Sequence, residues 1–293
     1  MNTLTLAGAS LVAKCFVLVQ WVLPTRALSR CVHSLTRVRW VPFKNGLIHL
    51  FMRAFNISLV EAEIERANDF EHFNAFFTRA LKPGERPLAP MPAFLSPVDG
   101  RVSQRGALHQ GQLVQAKGHR YSAEALLGDR DWAQTFTGGD FATIYLAPYN
   151  YHRIHMPIAG RLRAWRYIPG RLFSVNGMTA SAMPDLFSRN ERLVALFDTE
   201  HGPMAMALVG ALFVGGLETV WSGVVTPPHR RGAPGPIITP RSPVHLARGA
   251  EMGRFNMGST VVVVTAPGML RSMGRDAANG GAIRLGQPIG MLA

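Results

Sequence analysis

One serine in this sequence has the surroundings of a self-reacting nucleophile. Ser259 follows Gly258 and precedes the β-branched residues 260–264, a pattern that predicts a turn leading directly into a buried strand. Glycine in such a turn allows backbone angles that other residues avoid, so a side chain there could attack its own peptide bond. The same triplet is usually a plain turn. The hypothesis that the chain cuts itself between Gly258 and Ser259 therefore requires a base and an acid elsewhere.

Two histidines are the candidates for the base. His152 and His155 lie close to Tyr149, Tyr151 and Arg153, which is a dense cluster for a purely structural stretch. In an extended segment residues 152 and 155 point to opposite sides, whereas on a turn they converge. The cluster alone leaves a structural and a catalytic role equally open. A metal site is disfavoured, because two histidines three residues apart have no further ligand cluster nearby.

Asp99 is the candidate acid, in the segment Ser-Pro-Val-Asp-Gly at residues 96–100. An aspartate before a glycine is most simply a turn residue. At the end of a strand, however, an aspartate can accept a hydrogen bond from the second ring nitrogen of a histidine and so orient it. The sequence leaves both interpretations open at this position.

Composition restricts the partners of this chain. It has 293 residues and a formal net charge of +13, which predicts an acidic partner: nucleic acid, an anionic membrane or an acidic substrate. The basic residues accompany long aliphatic runs rather than aromatic stacking platforms, which disfavours nucleic acid. Two cysteines give neither a disulfide framework nor a metal quartet.

The elements that position these residues divide the chain at about residues 57 and 90. Residues 1–57 hold an apolar run that is short for a membrane span, followed by a basic amphipathic helix; both favour a peripheral membrane anchor. Ser58 and Glu61 form a capping-box pattern that predicts a helix over residues 59–67, and an aromatic stripe at 70–77 predicts core packing. Residues 58–90 are thus a helical connector. Short β-like runs follow in residues 91–293, which predicts an α+β protein.

The segments of this sequence resemble those of the phosphatidylserine decarboxylase proenzymes, of the bacterial membrane-associated kind. The aromatic motif at 73–84, the aspartate motif at 96–100 and the histidine motif Tyr-His-Arg-Ile-His-Met-Pro at 151–157 occur in the family's order. Further matches lie at 117–118, 173–176, 190–192, 251–255 and the Met-Gly-Ser-Thr processing site at 257–260. The sequence departs from the family pattern at Arg248, where lysine is usual, at Met257, where leucine is usual, and in a glycine-rich tail.

The resemblance implies that Asp99, His155 and Ser259 form a self-processing triad. His155 would take the proton of Ser259, whose oxygen attacks the Gly258 carbonyl, and Asp99 would fix the histidine tautomer. The products would be a large chain, residues 1–258, and a small chain, residues 259–293, with a covalent pyruvoyl group made from Ser259. The pyruvoyl group would form a Schiff base with phosphatidylserine and act as electron sink while carbon dioxide leaves. His152 would then donate the proton that completes phosphatidylethanolamine.

The resemblance also implies a sandwich-like β domain, a possible homodimer and a peripheral position on the cytoplasmic side of the cell membrane. Two other functions stay open. A serine hydrolase would use the same three residues, although Ser259 lacks the strand-to-helix turn of a nucleophile elbow. A non-catalytic membrane-binding module would explain the helices but not the histidine cluster.

Overall fold

The computed structural model describes residues 11–213, 216–229, 231–273 and 280–293. Longer helices lie at the N-terminus and shorter ones within the β-rich part. The helices are α1 (Leu11–Val22), α2 (Thr25–Leu35), α3 (Val41–Phe55), α4 (Phe73–Phe77), α5 (Ala123–Leu127), α6 (Arg130–Thr135), α7 (Gly177–Ala182) and α8 (Leu186–Arg189), with single 3-10 turns at Ala67–Asp69 and Ala116–Gly118.

Strands make up most of the chain after residue 92. They are β1 (Ala93–Leu95), β2 (Gly100–Ala107), β3 (Gln112–Val114), β4 (Arg120–Ser122), β5 (Asp140–Leu146), β6 (Arg153–His155), β7 (Gly160–Ile168), β8 (Arg192–Thr199), β9 (Gly202–Gly210), β10 (Leu217–Thr219), β11 (Gly223–Thr226), β12 (His245–Leu246), β13 (Glu251–Phe255), β14 (Ser259–Thr265), β15 (Leu270–Ser272), β16 (Ala282–Ile283) and β17 (Pro288–Leu292). Helices first and strands afterwards confirm the predicted α+β class.

The strand that begins at Ser259 lies in the middle of the largest sheet. This antiparallel sheet has the order β12-β7-β8-β9-β14-β5-β2-β16, and β14 pairs along its whole length with β5 and β9. Val261 and Val263 pack in one apolar core, and Val262 and Val264 pack in another. Because side chains alternate along a strand, the sheet is buried on both faces and Ser259 points to the face of Val261.

A second sheet covers the face to which Ser259 points. This sheet has the order β11-β10-β13-β6, and its residues Ile154, Leu217 and Phe255 belong to the same core as Val261. The two packed sheets form the expected sandwich-like arrangement, and β6 carries the histidine motif. The opposite face of the large sheet is covered by helices, among them α5, α8 and α1.

The N-terminal helices rest on the β-rich part. Gln20 of α1 accepts a hydrogen bond from the Ser174 backbone at 2.7 Å, while Leu18, Val19 and Val22 are exposed. None of the described helices is long and apolar enough to cross a bilayer alone. Taken together, α1 and α2 have the required length and apolar character, but the two helices are bent by 81° relative to each other. The predicted basic amphipathic segment is present as α2.

The helix predicted over residues 59–67 is wrong. These residues form a turn and an isolated bridge between Ala62 and Leu81. The capping box fails because Glu61 does not turn back to the Ser58 backbone. Its carboxylate accepts hydrogen bonds from Arg86 at 2.8 Å and Arg284 at 3.0 Å instead. Tertiary charge pairing therefore outweighs the local capping signal.

Candidate active site

The turn before Ser259 has an unusual backbone. Met257 has φ of +92° and Gly258 has φ of +34°, angles that a residue with a side chain adopts at a cost of roughly 1–3 kcal/mol. Ser259 is only 1 % exposed, and within the described part of the chain its hydroxyl has no hydrogen-bond partner. A buried hydroxyl without a partner is costly. Thr143, Thr179 and Thr260 share this state, so the backbone before Ser259 is what distinguishes it from them. This turn combines strain with a free nucleophile.

Asn256 anchors the turn on its N-terminal side. Its backbone N–H donates to the Gly216 carbonyl at 2.9 Å, and its Nδ2 donates to Glu218 at 2.8 Å. Its Oδ1 accepts from Nδ2 of Asn74 in α4 at 2.9 Å. Met257 packs against the aromatic cluster, which comprises Ile48, Ile57, Leu59, Ala62, Ala67, Phe70, Phe73, Phe76 and Phe77. The connector therefore helps to hold the turn.

His152 lies in a sealed apolar pocket. Its ring is fully buried and lies 4.1 Å, centroid to centroid, from the ring of Phe77. Nδ1 donates to the Asn150 carbonyl at 2.7 Å, because a carbonyl only accepts, and Nε2 therefore carries the lone pair. Among the residues described, Nε2 has no partner. Burial is the main cause that lowers the pKa of His152 to about 3. The charge of Arg79 also lowers it and the hydrogen bond to Asn150 raises it, so the ring is neutral.

His155 has a partner on each ring nitrogen. Nδ1 donates to the Gly249 carbonyl at 2.8 Å, which leaves the lone pair on Nε2. The Tyr151 hydroxyl lies 3.0 Å from Nε2 and donates to it. Burial is the main cause that lowers the pKa of His155, and the Asp99 charge acts in the opposite direction. Burial likewise raises the pKa of Tyr151, which keeps the phenol protonated.

Asp99 is held by an arginine that the sequence did not single out. Arg86 donates from Nε to Oδ1 at 3.0 Å and from Nη2 to Oδ2 at 2.7 Å, and the Leu285 backbone donates to Oδ1 at 2.8 Å. Both side chains of this ion pair are 8 % exposed. Asp99 thus approaches His155 as a neighbouring charge, while the contact that fixes the His155 tautomer comes from Gly249 and differs from the predicted one.

The strand pairing places the two histidines at different distances along β13 from the turn. The Phe255 backbone donates to the His152 carbonyl at 3.0 Å, three residues before Gly258. His155 pairs with Glu251, four residues further from the turn. The structure therefore brings both histidines to the sheet that faces Ser259, with His152 nearer to the processing turn in register.

A cavity of about 500 Å³ opens beside this site. Its lining includes Arg79, Arg86, Asp99, Asn150, Tyr151 and Arg284. Arg79 is 8 % exposed, and its Nη2 donates to the Tyr149 carbonyl at 3.3 Å. Arg86 and Arg284 are paired with the carboxylates of Asp99 and Glu61, which also line the cavity. Arg79 is therefore the cation that suits an anionic ligand there.

Comparison with known proteins matches this chain over most of its length. A family model described as phosphatidylserine decarboxylase matches residues 73–291, and a second, described as PSD, matches residues 15–56. The chain is 51 % identical to the phosphatidylserine decarboxylase proenzyme of Pseudomonas fluorescens over 94 % of this chain and 96 % of that protein. This chain belongs to the phosphatidylserine decarboxylase family. The proenzyme of Stutzerimonas stutzeri is 53 % identical over 87 % of each chain, and that of Pseudomonas entomophila is 50 % identical over 96 % and 99 %.

Phosphatidylserine decarboxylases are carboxy-lyases that are generally pyruvoyl-dependent, and the residues at the turn suit such a group. Ser259 is the first residue of a buried strand and has a hydroxyl with no competing partner among the residues described. The sheet that faces it carries two neutral histidines. Sequence reasoning missed Asn74, Phe77 and Arg86 as parts of this site, although the first two lie in the aromatic motif that it assigned to the core.

Proposed function

We propose that this chain is a self-processing, pyruvoyl-dependent decarboxylase that converts phosphatidylserine to phosphatidylethanolamine and carbon dioxide. The observation that carries the proposal is the unpartnered hydroxyl of Ser259 directly after the strained pair Met257 and Gly258. The positive φ of Met257 is unfavourable for a residue with a side chain, and Gly258 carries no side chain that would block the approach of the Ser259 oxygen to its carbonyl. Membership of the decarboxylase family supplies the reaction.

Self-processing begins with proton transfer from Ser259 to a histidine. In this proposal Nε2 of His155 takes the proton, after exchanging the Tyr151 hydroxyl for that of Ser259. The Ser259 oxygen then bonds to the Gly258 carbonyl carbon, the peptide C–N bond breaks, and the proton passes to the leaving nitrogen. The Asp99 charge favours the imidazolium that forms. The bond between Cβ and Oγ of residue 259 then breaks as its α-proton leaves, which frees residues 1–258 as a carboxylate and leaves dehydroalanine at the start of residues 259–293. Water then replaces the nitrogen of that residue, which leaves as ammonia, and this completes the pyruvoyl group.

His152 has a separate part in decarboxylation. The pyruvoyl group, when formed, supplies an electron sink for the bond that breaks as carbon dioxide leaves. In the neutral ring Nε2 carries the lone pair, so in this proposal it first takes up a proton that the substrate ammonium group releases and then passes that proton to the α-carbon of the substrate. Burial lowers the pKa of His152 to about 3, so the protonated ring exists only during the reaction.

The cavity beside Asp99 is the proposed site of the substrate headgroup. Phosphatidylserine carries a phosphodiester, and Arg79 is a buried cation whose hydrogen bond goes to a neutral carbonyl. An arginine in this state binds a phosphate with little loss of side-chain freedom. The exposed apolar residues of α1 and the basic α2 support a peripheral position on the cytoplasmic side of the membrane. A homodimer remains part of the proposal from family resemblance.

Intact-mass measurement of the purified protein tests self-processing. We expect two chains, of which the smaller begins at residue 259 and resists Edman sequencing, and a single uncut and inactive chain for Ser259→Ala. Ser103→Ala in β2 is the matched control and should be cut and active. Two chains from Ser259→Ala would contradict the assignment. A single wild-type chain that hydrolyses esters would indicate a serine hydrolase, and vesicle binding without carbon dioxide release a membrane module.

A further inference from the structure

A second cationic cavity lies where the N-terminal helices meet the loop after β7. Its volume is about 360 Å³, and its lining includes Trp21, Arg26, Gly170, Arg171, Phe173 and Arg189. Two contacts fix α1 and α2 at its rim. The Gln20 side chain accepts from the Ser174 backbone at 2.7 Å, and Arg26 donates to the Gly170 carbonyl at 2.6 Å. The cavity is therefore built by folding of the helices onto the β-rich part.

Arg26 and Arg171 of this cavity contact neutral groups, whereas Arg189 lies 3.6 Å from the carboxylate of Asp185. The guanidinium of Arg171 lies 5.2 Å from the centre of the Trp21 ring, and that ring packs at 5.1 Å against Phe173. Nε of Arg26 and the indole N–H of Trp21 are buried donors for which the described residues offer no acceptor. Unmatched buried donors beside a fixed guanidinium indicate an absent acceptor, since such groups are costly to leave unpaired.

The electrostatic balance of this cavity is positive. Burial and then the charge of Arg231 lower the pKa of Arg26, the nearby charge of Glu191 raises it, and the charge of Arg171 lowers it again. None of the described lining residues is acidic. Two carboxylates lie close by. The buried carboxylate of Glu191 accepts hydrogen bonds from Nδ1 of His229 at 2.9 Å and from the hydroxyl of Tyr167 at 2.8 Å. Asp185 pairs with Arg189 alone, at 3.6 Å.

We propose that this cavity binds the phosphate of a membrane phospholipid headgroup, at a site separate from the substrate cavity at Asp99. Arginine donors in a fixed arrangement match the oxygens of a phosphate. We take the membrane as the source of this phosphate because α1, which carries Trp21, also carries exposed apolar residues, among them Leu18 and Val22. The inference rests on the proposed membrane association, and it gives these arginines the role of orienting the protein on the bilayer.

Vesicle binding by a double variant tests the proposal. Arg26→Gln with Arg171→Gln should bind vesicles of phosphatidylcholine and phosphatidylglycerol roughly 30-fold more weakly than wild type, the combined effect of two headgroup contacts. Phosphatidylglycerol is anionic but has no amine, so it is not a substrate. The matched control, Arg120→Gln with Arg130→Gln, removes the same charge from exposed positions and should change binding by less than about threefold. Equal losses of vesicle binding in both double variants would overturn the proposal, because they would show an effect of net charge and not of a specific site.

Two further measurements separate this proposal from its alternatives. Inorganic phosphate at constant ionic strength should raise the melting temperature of the wild type only slightly. A large rise that the double variant lacks, with vesicle binding unaffected, would identify a soluble phosphate as the ligand and overturn the membrane source. Self-cleavage, and decarboxylation of phosphatidylserine in detergent, should be unchanged in the double variant. Loss of both with normal vesicle binding would instead show that the arginines support the fold. An uncut wild-type chain would count against the proposed function alone.

Discussion

His152 and His155 lie three residues apart, yet their surroundings differ in the way that two catalytic roles require. Both rings are neutral and donate from Nδ1 to a backbone carbonyl, so both present the lone pair of Nε2. Around His152 this nitrogen is sealed against Phe77 and has no partner among the residues described. Around His155 it is capped by the hydroxyl of Tyr151, beside a cavity that contains Asp99. The charge that acts on His152 is therefore the repelling cation Arg79, whereas the Asp99 carboxylate acts on His155.

The difference shows that spacing alone does not assign the roles. A histidine with a nearby carboxylate suits proton abstraction, because the charge stabilises the imidazolium. A histidine in an apolar wall is neutral at rest and readily gives up a proton that it has taken from the substrate, because its charged form is strongly disfavoured there. The register of β13 places His152 nearer to the turn, which makes an exchange of the two roles the sharpest alternative.

Replacing each histidine by alanine should give the largest effect. His155→Ala should remain uncut and inactive because it lacks the proposed base. His152→Ala should be cut normally but decarboxylate about 10²–10⁴-fold more slowly, the contribution typical of general acid catalysis. Gel separation of the two chains and carbon dioxide release measure the two steps independently.

The outcome for the histidine pair has a direct opposite. If His152→Ala remains uncut while His155→Ala is processed, the two roles are exchanged, and the histidine nearer to the turn along β13 is the base. His245→Ala, an exposed histidine of β12, is the control and should behave as wild type in both steps.

Removal of Arg86 tests the charged side of the comparison. In the uncut Ser259→Ala background, Arg86→Met leaves Asp99 buried without its cation, which should lower the free energy of unfolding by about 3–5 kcal/mol. Arg284→Met is the control. It removes an arginine with a 60 % exposed side chain from Glu61 and should lower that free energy by about 0–1 kcal/mol. Denaturant unfolding measures both, and equal losses would mean that the buried pair contributes no more than the surface pair.

The sequence predicted the strands of this site well because their signals are local. The β-branched run after Ser259 is β14, and the short β-like runs expected after residue 90 begin with β1 at Ala93. In each case the deciding interactions lie within a few residues of one another.

Predictions that depend on distant partners were poorer. The helix at 59–67 failed because the Glu61 carboxylate binds arginines 25 and 223 residues away. The aromatic residues at 70–77 were predicted to pack in the core, and one of them, Phe77, also packs against the ring of His152. The carbonyl that fixes the His155 tautomer belongs to Gly249, 94 residues along the chain. No periodicity encodes such contacts, since they depend on how the two sheets pack.

Acid should destabilise the protein through His152. Its pKa is about 6.5 when unfolded and about 3 when folded, so the unfolded state binds the extra proton between these values. Stability is therefore complete above pH 6.5 and falls towards pH 3, at up to roughly 1.4 kcal/mol per pH unit. Comparing Ser259→Ala with Ser259→Ala/His152→Asn from pH 7 to 4 isolates this contribution. Parallel stability curves for the two proteins would show that His152 titrates normally and is not sealed.

Tyr151→Phe should give the smallest effect, confined to His155. The phenol hydroxyl donates to Nε2 and so stabilises the neutral ring. Its removal should raise the pKa of His155 and move the acid limb of the self-cleavage rate upwards by about one pH unit, the value of one hydrogen bond. The rate is measured on freshly synthesised precursor across pH. A shift of the decarboxylation profile with an unchanged cleavage profile would place Tyr151 with the second step. Tyr149→Phe, on an exposed ring, should shift neither.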